Sequence, residues 1–263
     1  MSERDEPSLA ALRARALALG SAAALRRLAQ RLAADPRGGA QALALQCRRR
    51  ASELEREGRR MGRLFVLRAE LAAQGARCVA GVDEVGVGPL AGPVVAAAVV
   101  LPERPRLPGL DDSKRLTRVA RERLAAAIRA QAEAFSLAEV WIEEIDRRNI
   151  YQASLLAMRR AVEGLAKPPD HVLVDARHIP GIAMSQTPLI GGDGIDASIA
   201  AASVIAKVHR DGIMHRLDGE FPGYGFGRHM GYATREHLYA LRRLGASPVH
   251  RRSFAPVSQL RLF

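Results

Sequence analysis

The sequence predicts an α/β fold, on three observations. Apolar runs of strand length stand at 79–82 (VAGV), 94–101 (VVAAAVVL), 137–142 (LAEVWI) and 171–175 (HVLVD). Stretches with apolar residues at helical spacing lie near 117–132, 146–165, 197–215 and 235–244. Two of the strand-like runs end in carboxylates, and the ends of strands are where open α/β sheets put their sites. With 263 residues, 48% of them hydrophobic, the chain can bury a core for one large domain, 76–263, beside an appendage, 1–75.

The appendage carries fifteen Arg, no Lys and eight acids, a net +7. One helix with Leu9, Leu12, Ala16, Leu19 and Ala23 on a stripe, a break at 35–39 (DPRGG), and a second helix with Leu54, Met61, Leu64 and Leu71 predict a helical hairpin. Packing is its simplest role, and Arg48, Arg49, Arg50, Arg59 and Arg60 would add phosphate contacts. The first residues, MSERDEPSLA, hold acids where a secretion signal holds a basic region, and no apolar run is long enough to span a bilayer. A cytoplasmic protein without a membrane partner is expected. Two cysteines, Cys47 and Cys78, are too few for a disulfide framework or a cysteine zinc site. The net charge of +12 favours a polyanionic partner.

The run 79–93, VAGVDEVGVGPLAGP, is the most informative. A buried strand of small and branched residues should not end in Asp83 and Glu84 unless something positive meets them. Gly86, Gly88 and Gly92 follow at once and let backbone come close to a ligand, while Pro89 stiffens the exit. Taken alone, the same window also describes a strand ending at the surface in two solvated acids. It is no dinucleotide fingerprint, because Ala91 stands where a third glycine is needed, and the chain holds no P-loop.

Further along, LDDSKRLT puts Ser113 and Lys114, a pair suited to a phosphate or, taken alone, to simple capping chemistry with an exposed lysine, ahead of a helix with Thr117 as its N-cap. The third carboxylate, Asp175, ends the run HVLVD. The fourth, Asp193, sits in a glycine turn. Asp196 is an N-cap candidate for a helix whose Ser198, Ala201, Ala202 and Ser203 are small enough to approach a sheet closely. Residues 221–237 are turn-rich, aromatic and basic. Asp83, Glu84, Asp175 and Asp193, without His or Cys among them, are hard oxygen ligands that suit Mg²⁺ or Mn²⁺ rather than zinc.

The order and spacing of these pieces resemble ribonuclease HII, the bacterial type 2 ribonuclease H, from residue 78 to 257. The resemblance is carried by GVDE-x-G-x-GPLAGPVV at 81–95, DSK-x-L at 112–116, VLVD at 172–175, the GD turn at 192–193, SIAAAS-x-IAKV-x-RD at 198–211, YGF-x-x-H-x-GY-x-T at 224–234 and HRRSF-x-PV at 250–257. It implies the ribonuclease H-like fold, a mixed five-stranded sheet flanked by helices, with a C-terminal helical lobe. The N-terminal segment is similar to the extension of longer bacterial forms. By the same resemblance Asp83, Glu84, Asp175 and Asp193 are the catalytic metal ligands, for two ions of Mg²⁺ or Mn²⁺. Gly86, Val87 and Gly88 would read the ribose 2′-hydroxyl, and Tyr232 would lie against the neighbouring deoxyribose. Ser113, Lys114 and Lys207 would contact phosphates, and Asp211 and Arg252 would be structural. The implied activity is hydrolysis of the RNA strand of RNA–DNA hybrids and cutting at single ribonucleotides in duplex DNA, leaving 5′-phosphate and 3′-hydroxyl ends. Such an enzyme removes misincorporated ribonucleotides and RNA primers, and a monomer is expected.

Two positions depart from the family pattern: Val87 replaces its usual Arg, and Gly191 its usual Lys. They leave room for two rival readings, a nucleic-acid-binding protein that kept the fold and lost the rate, and a nuclease of the same fold acting on DNA junctions.

Overall fold

The computed structural model describes residues 7–262, so the acids of the first six residues lie outside the described residues. The chain divides into two compact units, Met1–Gly62 and Arg63–Phe263.

The first unit departs from the expected hairpin. Helices α1 (Leu9–Ala18) and α2 (Ala22–Ala33) stand where one helix was predicted, and α3 runs over Gly38–Arg63. The break falls at Gly20 and Ser21, where the Ser21 hydroxyl caps α2 by accepting from the Ala24 N–H. Leu12, Leu25, Leu28, Leu32, Leu43 and Cys47 form its core. Leu64 and Leu71, expected on the second helix, belong instead to the other unit, where Leu71 lies on α4 (Val66–Ala73).

The second unit runs β1 (Val79–Val85), β2 (Val94–Val100), α5 (Arg118–Gln131), β3 (Ala134–Val140), α6 (Ile142–Arg148), α7 (Ile150–Glu163), β4 (His171–Asp175), β5 (Ser185–Leu189), α8 (Ala197–Glu220), α9 (Phe226–His229), α10 (Arg235–Leu244) and α11 (Ala255–Ser258). The sheet order is β3-β2-β1-β4-β5, with β1, β2 and β3 antiparallel and β1, β4 and β5 parallel. This is the expected mixed five-stranded sheet. The single helix predicted over 146–165 is two, because Asn149 takes φ +74° and caps α7 by accepting from the Gln152 N–H. Thr117 and Asp196 cap α5 and α8 as predicted. Among the described residues no helix is long and apolar enough to cross a membrane.

Strand periodicity divides β1 between two layers. Ala80 and Val82 pack with Val172, Val174 and the α7 residues Ala157 and Met158. Val79 packs with Leu173 and the α8 residue Ile199 on the other face. Gly81 lets α8 come closer than any side chain would permit, since a Cβ there would lie 2.2 Å from the Ile199 nitrogen. The layers therefore fix which way each terminal acid points: Asp83 toward α8, Glu84 toward α7.

The C-terminal lobe is built on three buried histidines, His229, His237 and His250. The Ser247 N–H donates to His250 Nδ1 (3.0 Å), so the His250 proton sits on Nε2 and donates to His237 Nε2 (3.0 Å). His237 in turn donates from Nδ1 to the Tyr232 carbonyl (2.9 Å). A further proton would set N–H against N–H. Burial, aided by His237, pushes the His250 pKa down to about 4. Because the unfolded imidazole titrates near 6.5, the unfolded state binds more protons between these values, and stability falls as pH drops from about 6.5 through about 4. The expected loss is at most about 3 kcal/mol. A plot of Tm against pH should be shallower over that window in His250→Gln.

Candidate active site

The register Val82↔Val174 sets the next pair, Asp83 and Asp175, side by side at the carboxyl ends of two parallel strands. By strand alternation both are on the α8 face. Asp83 is buried, accepts from the Glu84 N–H (2.7 Å), and is hydrogen-bonded by Ser203 of α8. Its pKa is raised well above the usual carboxylate range, by burial first and then by the charges of Glu84 and Asp175. Glu84 emerges on the opposite face, where Arg177 lies 3.6 Å from its Oε1. Burial raises its pKa, Arg177 opposes the rise, and Asp175 adds to it.

After Asp175 the chain bends sharply at Ala176, a non-glycine residue held at φ +54°, its N–H donating to the Leu189 carbonyl (2.8 Å). The bend sends Arg177 across Glu84 toward α7, where it donates to the Ser154 hydroxyl (2.6 Å) and covers the Tyr151 ring. The turn Gly192–Gly194 before α8 is tied back through the Gly192 N–H to Asp175 Oδ1 (2.8 Å), which brings Asp193 to the same edge. The Asp193 pKa is raised to about 6 by burial, by the charge and hydrogen bond of Asp112, and by Asp175, against Lys114. Lys114 is itself lowered by burial, but Asp112, Asp83, Asp193 and Asp175 more than offset this and its pKa is raised.

The four predicted acids are thus electrostatic neighbours. Among the described residues, however, no group of three or more His, Cys, Asp or Glu side chains forms a ready-made ion cage. The donor set still fits a hard divalent cation. Glu84 Oε2 is buried with no hydrogen-bond partner among the described residues, and Asp83 carries a charge that burial and two carboxylates oppose; a cation at either carboxylate relieves that group. Mg²⁺ in particular is held through one or two carboxylates, with waters and substrate phosphates completing its octahedron, so a protein cage is not required.

The remaining predicted residues lie in different surroundings. Gly88 and Tyr232 come together, for a Cβ on Gly88 would lie 3.6 Å from Tyr232 Cε1, and both are exposed. Lys114 is exposed beside the acids. Ser113 is buried and hydrogen-bonded to Ser203 (2.8 Å), and Lys207 donates to Asp211 (2.6 Å). Arg252 is exposed, and its backbone N–H donates to Asp146; the fully buried arginine of that motif is its neighbour Arg251. Sequence reasoning missed Asp112, Ser203 and Arg177. Asp112 stands beside Lys114 in LDDSK and was the one readable signal; the others become visible only through the packing of α8 and the bend at Ala176.

A family model described as ribonuclease HII matches residues 80–257. The chain belongs to the ribonuclease HII family. Ribonuclease HII of Myxococcus xanthus is 54% identical over 233 residues, covering 88% of this chain and 80% of the relative. That of Geobacillus kaustophilus is 53% identical over 226 residues, covering 86% of each. Among solved structures, the ribonuclease H2 of Pyrococcus horikoshii OT3 superposes with a TM-score of 0.61 at 26% identity, over 70% of this chain and 97% of that one. Membership of the ribonuclease HII family makes the chain a hydrolase, a metal-dependent endoribonuclease, and the sheet is that of the ribonuclease H-like fold.

Proposed function

We propose that the protein cuts the RNA strand of RNA–DNA hybrids and the phosphodiester at single ribonucleotides embedded in duplex DNA, clearing misincorporated ribonucleotides and primers. The observation that supports it is continuity: β1 ends in the acids and passes directly into the Gly86–Val87–Gly88 loop, with Tyr232 against Gly88. One segment therefore carries both a hard-metal donor set and a backbone surface able to meet a 2′-hydroxyl, the group that separates RNA from DNA at a given position.

Asp83, Asp175, Asp193 and Glu84 are the residues that would hold two divalent ions, Mg²⁺ or Mn²⁺. Such ions supply a nucleophilic water at neutral pH and stabilise charge on the leaving 3′-oxygen. Asp83 stays buried and oriented by Ser203, which Ser113 braces in turn. Lys114, exposed and firmly protonated among the acids, offers its ammonium to a substrate phosphate. Tyr232 presents its ring to the sugar that follows the ribonucleotide. Lys207 has one of its three donors on Asp211, which leaves two for a phosphate.

The test is cleavage of matched duplexes with and without one ribonucleotide. Cutting only the former, to 5′-phosphate and 3′-hydroxyl ends, supports the reading. Cutting both equally sinks it, and binding without cutting would favour a non-catalytic role. Val87→Arg should raise kcat/KM on the single-ribonucleotide duplex about tenfold, equivalent to ~1.4 kcal/mol, because a guanidinium adds a charge-assisted phosphate contact. All-DNA duplex should remain uncut, since either residue supplies the same backbone. No gain would show that another cation already serves that phosphate.

A further inference from the structure

We infer that Arg251 is a positioning residue for ribose discrimination: its buried guanidinium draws the carbonyls of Gly86 and Val87 inward, so that the loop meets substrate with its N–H groups. The inference rests on the proposed reading of that loop as the ribose reader and adds the residue that sets its orientation.

Arg251 is fully buried. Its Nη2 donates to the carbonyls of Gly86 (2.6 Å) and Gly92 (2.8 Å), its Nη1 to Val87 (3.0 Å), and its Nε also to Gly92 (3.0 Å). One planar fork thus grips both ends of the seven-residue turn from Gly86 to Gly92. A second buried arginine, Arg210 of α8, seals the layer beneath: its Nε donates to the Pro93 carbonyl (3.0 Å), Nη2 to Ala91 (3.1 Å) and Nη1 to Met230 (3.1 Å). Gly86, at φ +91°, lies on that guanidinium, where a Cβ would come within 2.2 Å of Arg210 Nε. Among the described residues neither arginine forms an ion pair.

A buried cation without a carboxylate is costly, and burial lowers the Arg251 pKa to about 9. An apolar side chain would tie the C-terminal lobe to the sheet with no such cost. What it cannot do is orient three carbonyls, whereas a five-donor planar fork does so in one geometry. The complementary observation lies on the open side. The N–H groups of Val87 and Gly88 have no acceptor among the described residues, although Gly88 is exposed beside Tyr232. With the Gly86 and Val87 carbonyls engaged, the loop turns to a ligand the N–H donors of Val87 and Gly88 with only the Gly88 carbonyl beside them, a set suited to the lone pairs of a 2′-oxygen and indifferent to a 2′-hydrogen. Arg251 touches no substrate; it acts through the loop.

The experiment measures binding, in an Asp83→Asn background that does not cut, to duplexes with one ribonucleotide and with none, for Arg251 and for Arg251→Lys. A lysine keeps a long stem ending in a nitrogen donor and loses the planar fork. The expected result is that preference for the ribonucleotide duplex falls about tenfold or more, while affinity for all-DNA duplex stays within about twofold. A folded Arg251→Lys protein with undiminished preference overturns the inference. So does an equal loss on both duplexes, which would make Arg251 only a tether for the lobe. If Arg251 itself shows no preference, the ribose-reader proposal falls and takes this inference with it. Should Arg251→Lys not fold, amide hydrogen exchange with the loop intact decides: slowing at Val87 and Gly88 on the ribonucleotide duplex but not on all-DNA duplex supports the inference, and equal exchange in the two complexes overturns it.

Discussion

Asp83→Asn is expected to abolish cleavage, by on the order of 10³-fold or more, the scale on which loss of one preorganised electrostatic group is felt. It should do so in a protein that is folded and more heat-stable than its parent. Both halves follow from the position of this carboxylate beside Asp175, buried against α8, with a pKa raised by burial and by two neighbouring acids. In the absence of metal the native state holds the Asp83 proton to higher pH than the unfolded chain, whose aspartates titrate near 3.9. Above that value the native state binds more protons, so stability declines as pH rises through the raised native pKa. Asparagine removes the penalty without changing volume. In chelator at neutral pH, Tm should rise by at least ~2 °C. Adding Mg²⁺ should stabilise the parent and do so less in the variant, because binding to the native state alone raises Tm by mass action. Near-normal cleavage in Mg²⁺, or a fall in Tm without metal, would remove Asp83 from the metal site.

Gly81→Ala is expected to destabilise by about 3 kcal/mol or more, lowering Tm by roughly 6–12 °C. A Cβ at position 81 would meet the Ile199 nitrogen and the Ser198 carbonyl carbon, each at 2.2 Å, and backbone atoms cannot rotate aside. Helix α8 would have to lift away from β1, taking Ser203 from Asp83. The activity of whatever remains folded should therefore fall as well. Gly219→Ala provides the comparison: it lies in the same helix with nothing within 4 Å of the new methyl, and should stabilise by up to ~1 kcal/mol. Thermal melts of the two variants separate close approach from helix propensity. Similar Tm values for both would mean that α8 does not depend on the missing side chain at 81.

These contrasts show what was legible in the sequence and why. Strands β1, β2 and β4 and helices α5 and α10 were readable because their apolar spacing, together with the cap of α5, is local. Gly81 reads only as a small residue in a strand, and its importance lies in a helix more than a hundred residues away. Strand β5, SQTPL, was not recognised as an element by its own pattern: half-exposed and holding Pro188 at the sheet edge, it lacks both alternation and a continuous apolar run. The division of residues 1–62 into three helices was hidden because an alanine-rich run continues across Gly20 and Ser21 with little change of period. At the site, the acids were readable as charges ending apolar strands. That Asp83 and Glu84 face opposite layers follows from alternation alone, yet what each meets, Ser203 or Arg177, depends on tertiary packing. Arg210 and Arg251 were the least legible, because arginine in a basic chain reads as surface.

The carbonyl grip on the glycine loop also has a consequence for the order in which the enzyme is made. Every acid of the site, from Asp83 to Asp193, is synthesised before Arg210 and Arg251. Arg251 grips backbone 159 to 165 residues behind it. Contacts so distant in sequence cannot form until the intervening chain has been made. A growing polypeptide on the ribosome thus carries the four carboxylates while the loop beside them is still unheld. The loop beside the acids is therefore fixed only after the C-terminal lobe that carries Arg251 has been made.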